Sequence, residues 1–154
     1  MMLKSIPPAL TPDLLWTLAA MGHGDRIAIV DRNYPAHSLH SRVHVLAGLD
    51  TVQVVSIITT LMPVDDFVKP AAFWMSPDGR PEEEFEVHGL FRAAVEAAEH
   101  RSVPFAGLER AEFYREAQKA FAVVATTDSR PFSCFLIAKG VIYEAETAYS
   151  PDQG

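Results

Sequence analysis

Residues 27–31 read Ile27-Ala28-Ile29-Val30-Asp31, four apolar residues without a polar break, three of them β-branched, closed by a carboxylate. A strand with one wet face alternates polar and apolar residues, so this run fits a strand covered on both faces. Asp31 then stands at its carboxyl end, where ligands gather in open α/β sheets. Upstream, Thr11-Pro12-Asp13 combines a helix-capping hydroxyl, a proline suited to the first helical position and an acid in the first turn. Leu14, Leu15 and Leu18 follow at helical spacing, and the helix is expected to stop at Gly22. Downstream, the polar segment 32–41 carries Pro35 and reads as a loop before a strand over Val43–Leu46.

The rest repeats this alternation. Asp50 predicts a cap for a helix running to Met62, although Val52, Val54, Val55, Ile57 and Ile58 also suit a strand. Ala71–Met75 reads as a buried strand and Ser76-Pro77-Asp78-Gly79 as a turn. Pro81 with Glu82, Glu83 and Glu84 predicts the start of a long helix reaching Arg101, acids at its positive end. A further helix is expected over Glu109–Lys119. Strands follow over Phe121–Thr126 and Phe132–Ala138, close enough in sequence to be antiparallel neighbours. The expected fold is α/β: a single three-layer αβα domain over residues 1–143, its mixed sheet flanked by helices. Residues 144–154 form a polar tail expected to be mobile.

Composition narrows the partners. The chain has 154 residues, 49% hydrophobic and 21% charged, a globular balance with enough length for one sizeable core. A net charge of -7 offers no basic stripe, so neither nucleic acid nor an anionic membrane is an expected partner, whereas a neutral or cationic small molecule is. Cys134 is the only cysteine, which excludes an internal disulfide and fits the cytoplasm. The first residues lack the apolar run of a signal peptide, and Val52–Val64 is too short and too interrupted to span a bilayer.

Met21-Gly22-His23-Gly24-Asp25 sets a histidine between two glycines at a helix-to-strand turn. An imidazole there can move a proton, or can simply bond the turn. Asp31 can accept sugar hydroxyls or cap its own loop. His37, His40 and His44 invite a zinc hypothesis, but a proline-bearing loop running into a strand does not bring three imidazoles to one point. Arg110, Arg115 and Lys119 alternate with Glu109, Glu112 and Glu116 as a solvated helix face would. Cys134, inside an apolar strand pattern, reads as a small core residue before it reads as a nucleophile.

Several stretches, taken in order, resemble the fucose mutarotase branch of the ribose pyranase family. They are Met2-Leu3-Lys4-Ser5-Ile6-Pro7, Met21-Gly22-His23-Gly24-Asp25, Asp31 with Tyr34-Pro35-Ala36-His37-Ser38, and Glu109-Arg110-Ala111-Glu112-Phe113-Tyr114. Lys119-Ala120-Phe121-Ala122-Val123-Val124-Ala125-Thr126 and Lys139-Gly140-Val141 complete the set. Residues 76–104 resemble the family only loosely. The resemblance implies a cofactor-independent isomerase that interconverts the α and β anomers of a monosaccharide, with His23 as proton donor and Asp31 and Arg110 on the sugar. It implies no metal and no organic cofactor. It also implies a ring-like homo-oligomer, decameric among the options, in which a neighbour's C-terminal strand region completes each site.

Where the family usually carries Tyr-Gly-Asn, this chain has Phe132-Ser133-Cys134, expected to face the substrate without the tyrosine hydroxyl and the asparagine amide. A missing hydroxyl partner in a polar pocket costs about 1–3 kcal/mol. The departure leaves open a pyranase, which turns pyranose into furanose by the same ring opening, and a sugar-binding homologue without turnover.

Overall fold

Thr11 turns the chain into the first helix, α1 (Pro12–Ala20): its Oγ1 accepts the Leu14 N–H at 3.2 Å, and Leu14, Thr17 and Leu18 form the buried face. The protein is described here from a computed structural model covering residues 2–144; the tail assigned to 144–154 lies outside the described residues except for Glu144. The apolar run becomes β1 (Arg26–Val30), with Ile27 to Val30 fully buried. The expected loop 32–41 contains one short helix, α2 (Ala36–Leu39), and β2 (Val43–Leu46) follows as expected.

For the ambiguous apolar stretch at 50–62 the cap decides. The Asp50 carboxylate accepts the Gln53 N–H and the Gln53 side chain accepts the Asp50 N–H, a reciprocal box that starts α3 (Thr51–Thr59). Val54, Val55 and Ile58 then share one buried stripe, as helical spacing requires. After β3 (Ala72–Ser76), helix α4 (Glu86–Glu99) begins five residues later than Pro81 suggested. The acidic run does not enter the helix: Glu84 reaches forward to Arg92, and the Phe85 N–H is received by His88 Nδ1 at 3.1 Å. Next comes a strand the sequence pattern did not announce, β4 (Phe105–Glu109). Its Gly107 explains why: a Cβ there would lie 2.3 Å from both the Pro81 carbonyl and Ser76 Oγ, so the strand gives up a side chain to let another segment cross. Helix α5 (Arg110–Gln118), β5 (Ala122–Thr126) and β6 (Phe135–Ala138) complete the chain.

The six strands form one sheet in the order β2-β5-β1-β6-β3-β4. β6 runs antiparallel to both its neighbours and the other pairs are parallel, so the sheet is mixed. β5 and β6 are not the neighbours their short separation suggested, because β1 lies between them. Side chains alternate across the sheet: Ile27 and Ile29 pack with α1, α3 and α4, whereas Ala28 and Val30 pack with α5 and the residues around Tyr34. The fold is the expected three-layer α/β arrangement. No helix among the described residues is long and apolar enough to cross a membrane.

Candidate functional site

Five strands run the same way, so their carboxyl ends share one rim, and β6 brings its amino end there too. That rim gathers Asp31 after β1, Asp78 beyond β3, Arg110 after β4, Asp128 and Arg130 after β5, and Phe132-Ser133-Cys134 leading into β6. Asp31 is held firmly. Its Oδ1 accepts the N–H groups of Asn33 at 3.0 Å and Tyr34 at 3.1 Å, and its own N–H points to Cys134 Sγ at 3.5 Å. Burial raises its pKa, the two backbone donors pull it down, and the nearby Asp128 charge pushes it up again.

Arg110 opens α5, and its Nε stands 3.6 Å from Asp78 Oδ2 in an exposed, solvent-screened pair. One turn on is Tyr114, a residue that sequence reasoning passed over. Its ring stands 5.0 Å from Tyr34, and its pKa is raised by burial first and then by Cys134 and Asp31 nearby, while the Arg110 guanidinium pulls it back down. Asp31, Arg110 and Tyr114 are therefore electrostatic neighbours, able to offer a polyol an acceptor, a forked donor and a phenol.

The third part of the rim departs from expectation. Ser133 and Cys134 are fully buried, so their side chains do not open toward a ligand. Ser133 Oγ lies against Thr51 Oγ1 and donates to Asp128 Oδ2 at 3.1 Å, while burial pushes the Cys134 thiol well up from its usual range. Phe132 alone of the three is half-buried. It sits at φ 57, its ring stacks on Phe85 at 5.2 Å, and its carbonyl accepts His88 Nε2–H at 3.0 Å. Because Nδ1 of the same imidazole receives the Phe85 N–H, His88 is held neutral with both nitrogens used, and burial lowers its pKa.

His23 lies at the opposite rim. Gly24 takes φ +85 in the turn before β1, and its N–H bonds the Lys139 carbonyl at 2.8 Å. The imidazole is 44% exposed, and its Nε2 bonds Oδ1 of the fully buried Asp65 carboxylate at 2.9 Å. That carboxylate also receives the N–H groups of Phe67 and Val68, both at 3.2 Å, and the Phe67 ring meets the imidazole edge-on at 4.8 Å. With Nε2–H given to Asp65, Nδ1 is the nitrogen left for a ligand. The Asp65 segment is pinned by the Gly140 N–H to the Pro63 carbonyl at 2.8 Å, a contact so close that a Cβ on Gly140 would lie 2.8 Å from the Val64 backbone.

One chain therefore does not bring His23 and Asp31 together. At about 3.3 Å per residue, the strand from Arg26 to Asp31 separates them by roughly 16 Å, beyond the reach of one monosaccharide. Nor do the other histidines converge: His40 Nε2 bonds the Tyr34 hydroxyl at 2.8 Å and His44 Nε2 bonds Thr17 Oγ1 at 2.7 Å. Among the described residues no three or more His, Cys, Asp or Glu side chains group as a metal site would need.

Known proteins resemble this chain in sequence and fold. A family model described as the RbsD / FucU transport protein family matches residues 4–142. An L-fucose mutarotase from Haemophilus influenzae is 37% identical over 140 residues, spanning 91% of this chain and 97% of its own. The crystal structure of the fucose mutarotase from Streptococcus pneumoniae in complex with L-fucose superposes with a TM-score of 0.83 at 32% identity, over 92% of this chain and 100% of the other. Bacillus subtilis RbsD complexed with D-ribose superposes with a TM-score of 0.71, over 92% of this chain and 100% of the other, at 18% identity, a likeness of fold alone.

Proposed function

The chain belongs to the RbsD / FucU transport protein family, and from that premise we propose that it is a sugar mutarotase, an isomerase that exchanges the anomers of a monosaccharide by opening and reclosing its ring. The carrying observation is the His23–Asp65 pair: an imidazole half-open to solvent, oriented by a buried carboxylate, with one nitrogen spare. Relatives with most of their length in common are L-fucose mutarotases, so L-fucose is the first sugar to test.

The chemistry needs a proton delivered to the ring oxygen as the C1–O bond breaks and a proton removed from the anomeric hydroxyl. The ring opens to an aldehyde and recloses on either face, with no net gain or loss of protons. In this reading His23 Nδ1–H supplies the first proton, and Asp65 offsets the imidazolium charge through Nε2–H. Water or a second group of the pocket accepts the other. Asp31 and Arg110 hold hydroxyls, and Phe132 lines the wall through its ring and through the backbone of the Phe132–Cys134 segment.

The two rims work together only across copies. Asp31, Arg110 and Phe132 of one protomer face a sugar that His23 of a neighbour protonates, in a ring-like homo-oligomer. Support comes from the separation along β1 and from exposed Phe67, Val68, Val141 and Ile142, which lie in the segments that flank His23. Residues 1–143 form the working domain, with a polar tail over 144–154, and the buried lone thiol suits a cytoplasmic protein.

NMR magnetisation exchange between anomers, run over a panel of aldoses beginning with L-fucose, tests the reading. Saturable acceleration of exchange for at least one sugar is expected. No acceleration for any of them overturns it, and conversion to furanose in place of anomer exchange identifies a pyranase.

A further inference from the structure

We propose that Asp128 is the positioning residue of the sugar-facing wall, locking the Phe132–Cys134 segment to Asp31 without touching the substrate; the inference rests on the mutarotase reading above. Its side chain is 2% exposed, so it cannot meet a sugar itself. Its carboxylate nevertheless receives six donors from three parts of the chain. Oδ2 accepts the Thr51 N–H at 3.0 Å and the Thr51 hydroxyl at 2.9 Å from the start of α3, and the Ser133 hydroxyl at 3.1 Å. Arg130 supplies Nη2–H to Oδ2 at 2.7 Å, and its backbone N–H and Nε–H to Oδ1 at 2.9 and 3.1 Å.

The backbone of the same residue grips Asp31 from both sides. The Asp128 N–H donates to Thr126 Oγ1, whose hydroxyl donates to the Val30 carbonyl just before Asp31. The Asp128 carbonyl accepts the Arg32 N–H just after it, at 3.0 Å. One residue thus references the two halves of the wall to each other, and His88 steadies the far end through the Phe132 carbonyl. Burying a carboxylate is costly, and apolar packing would hold a turn as well. What the charge adds is geometry: six directional bonds fix where Phe132 stands, left-handed backbone included, relative to a carboxylate on another strand.

A wall misplaced by a fraction of an ångström binds sugar poorly while leaving the proton-transfer group on the opposite rim alone. For Asp128→Asn, KM for the sugar turned over by the wild type is expected to rise about tenfold or more with kcat within about threefold. The shape of the pH–rate profile is expected to stay as in wild type. Thr51→Val, which removes one hydroxyl donor from a different element, is expected to raise KM by a smaller factor, and Thr51→Ser, which keeps the hydroxyl, by less than Thr51→Val. If Asp128→Asn does not accumulate folded, the Thr51 pair decides by the same criteria. A KM within about twofold of wild type in Asp128→Asn, or a fall in kcat with KM unmoved, overturns the assignment while leaving the mutarotase reading intact. Absence of exchange by the wild type overturns both.

Discussion

The two ends of β1 are built on opposite plans. At the amino end, His23 is almost half exposed and rests on one carboxylate, Asp65. At the carboxyl end, Asp31 is buried, bonded within its own loop and tied through Asp128 to a second loop and a helix. The roles proposed for the two ends account for the difference. A group that moves protons needs one nitrogen fixed and the other free to meet substrate and water. A recognition wall made of turns has no ladder of its own to hold it, so side-chain bonds must supply the rigidity.

The largest expected blow to this contrast is His23→Ala, which should lower the anomer exchange rate by about 10²–10⁴-fold. A rate equal to wild type would remove the histidine from the mechanism. Next is Asp65→Asn, which keeps the shape but no longer dictates the imidazole tautomer or offsets its charge. A loss of about 10²-fold in kcat with little change in KM is expected. A change in KM alone would mean that Asp65 shapes the pocket and not the proton transfer. A mixing experiment sharpens the division between rims. His23→Ala and Arg110→Ala chains, each impaired alone, should on co-refolding recover up to about a quarter of the wild-type rate, because random assembly pairs an intact His23 with an intact Arg110 at that frequency. No recovery would confine the site to one chain. Phe132→Tyr, which adds the missing hydroxyl, should shift relative turnover between two sugars about 5- to 10-fold, read in the same NMR assay.

The smallest effect concerns acid stability and separates the two buried carboxylates of the rigid end. Burial opposes ionisation of Asp128, but the Arg130 guanidinium, with the donors of Arg130 and Thr51, overrides it and holds the carboxyl well below its ordinary 3.8. A depressed folded pKa contributes stability that is present above the unfolded value and lost as pH falls through the folded one. Asp31 is raised, so its ionisation opposes folding at neutral pH, and that cost disappears as pH falls below 3.8. Denaturant titrations against pH should therefore show Asp128→Asn losing stability at neutral pH and flattening the acid limb. Asp31→Asn should gain stability at neutral pH and converge with wild type in acid.

Most of the architecture was legible because it rests on local signals: Thr11 and Asp50 as caps, the unbroken run of β1, the turn after β3. What escaped was set by distant contacts. β4 hides behind Gly107, a residue chosen for the crossing of Pro81 and Ser76. The start of α4 moved because Phe85 is capped by His88 and Glu84 is drawn to Arg92, choices that the triplet of acids does not announce. Nothing in Pro63-Val64-Asp65-Asp66 marks Asp65 as the partner of His23, since the two stand 42 positions apart and only the fold closes the gap. Ser133 and Cys134 read as pocket residues by position, and their burial follows from Thr51 and Asp128 reaching in behind them.

Gly140 carries a consequence for how far this protein can vary. Under the proposed mechanism, a wall residue such as Phe132 can be exchanged with a drift in specificity. Position 140 has no such latitude: a single added methyl would press on the Val64 backbone, and the carboxylate next along the chain is the one that steers His23. If His23 moves the proton as proposed, the lone hydrogen at position 140 is a condition of reactivity, and a search for altered substrate range does best to leave it untouched.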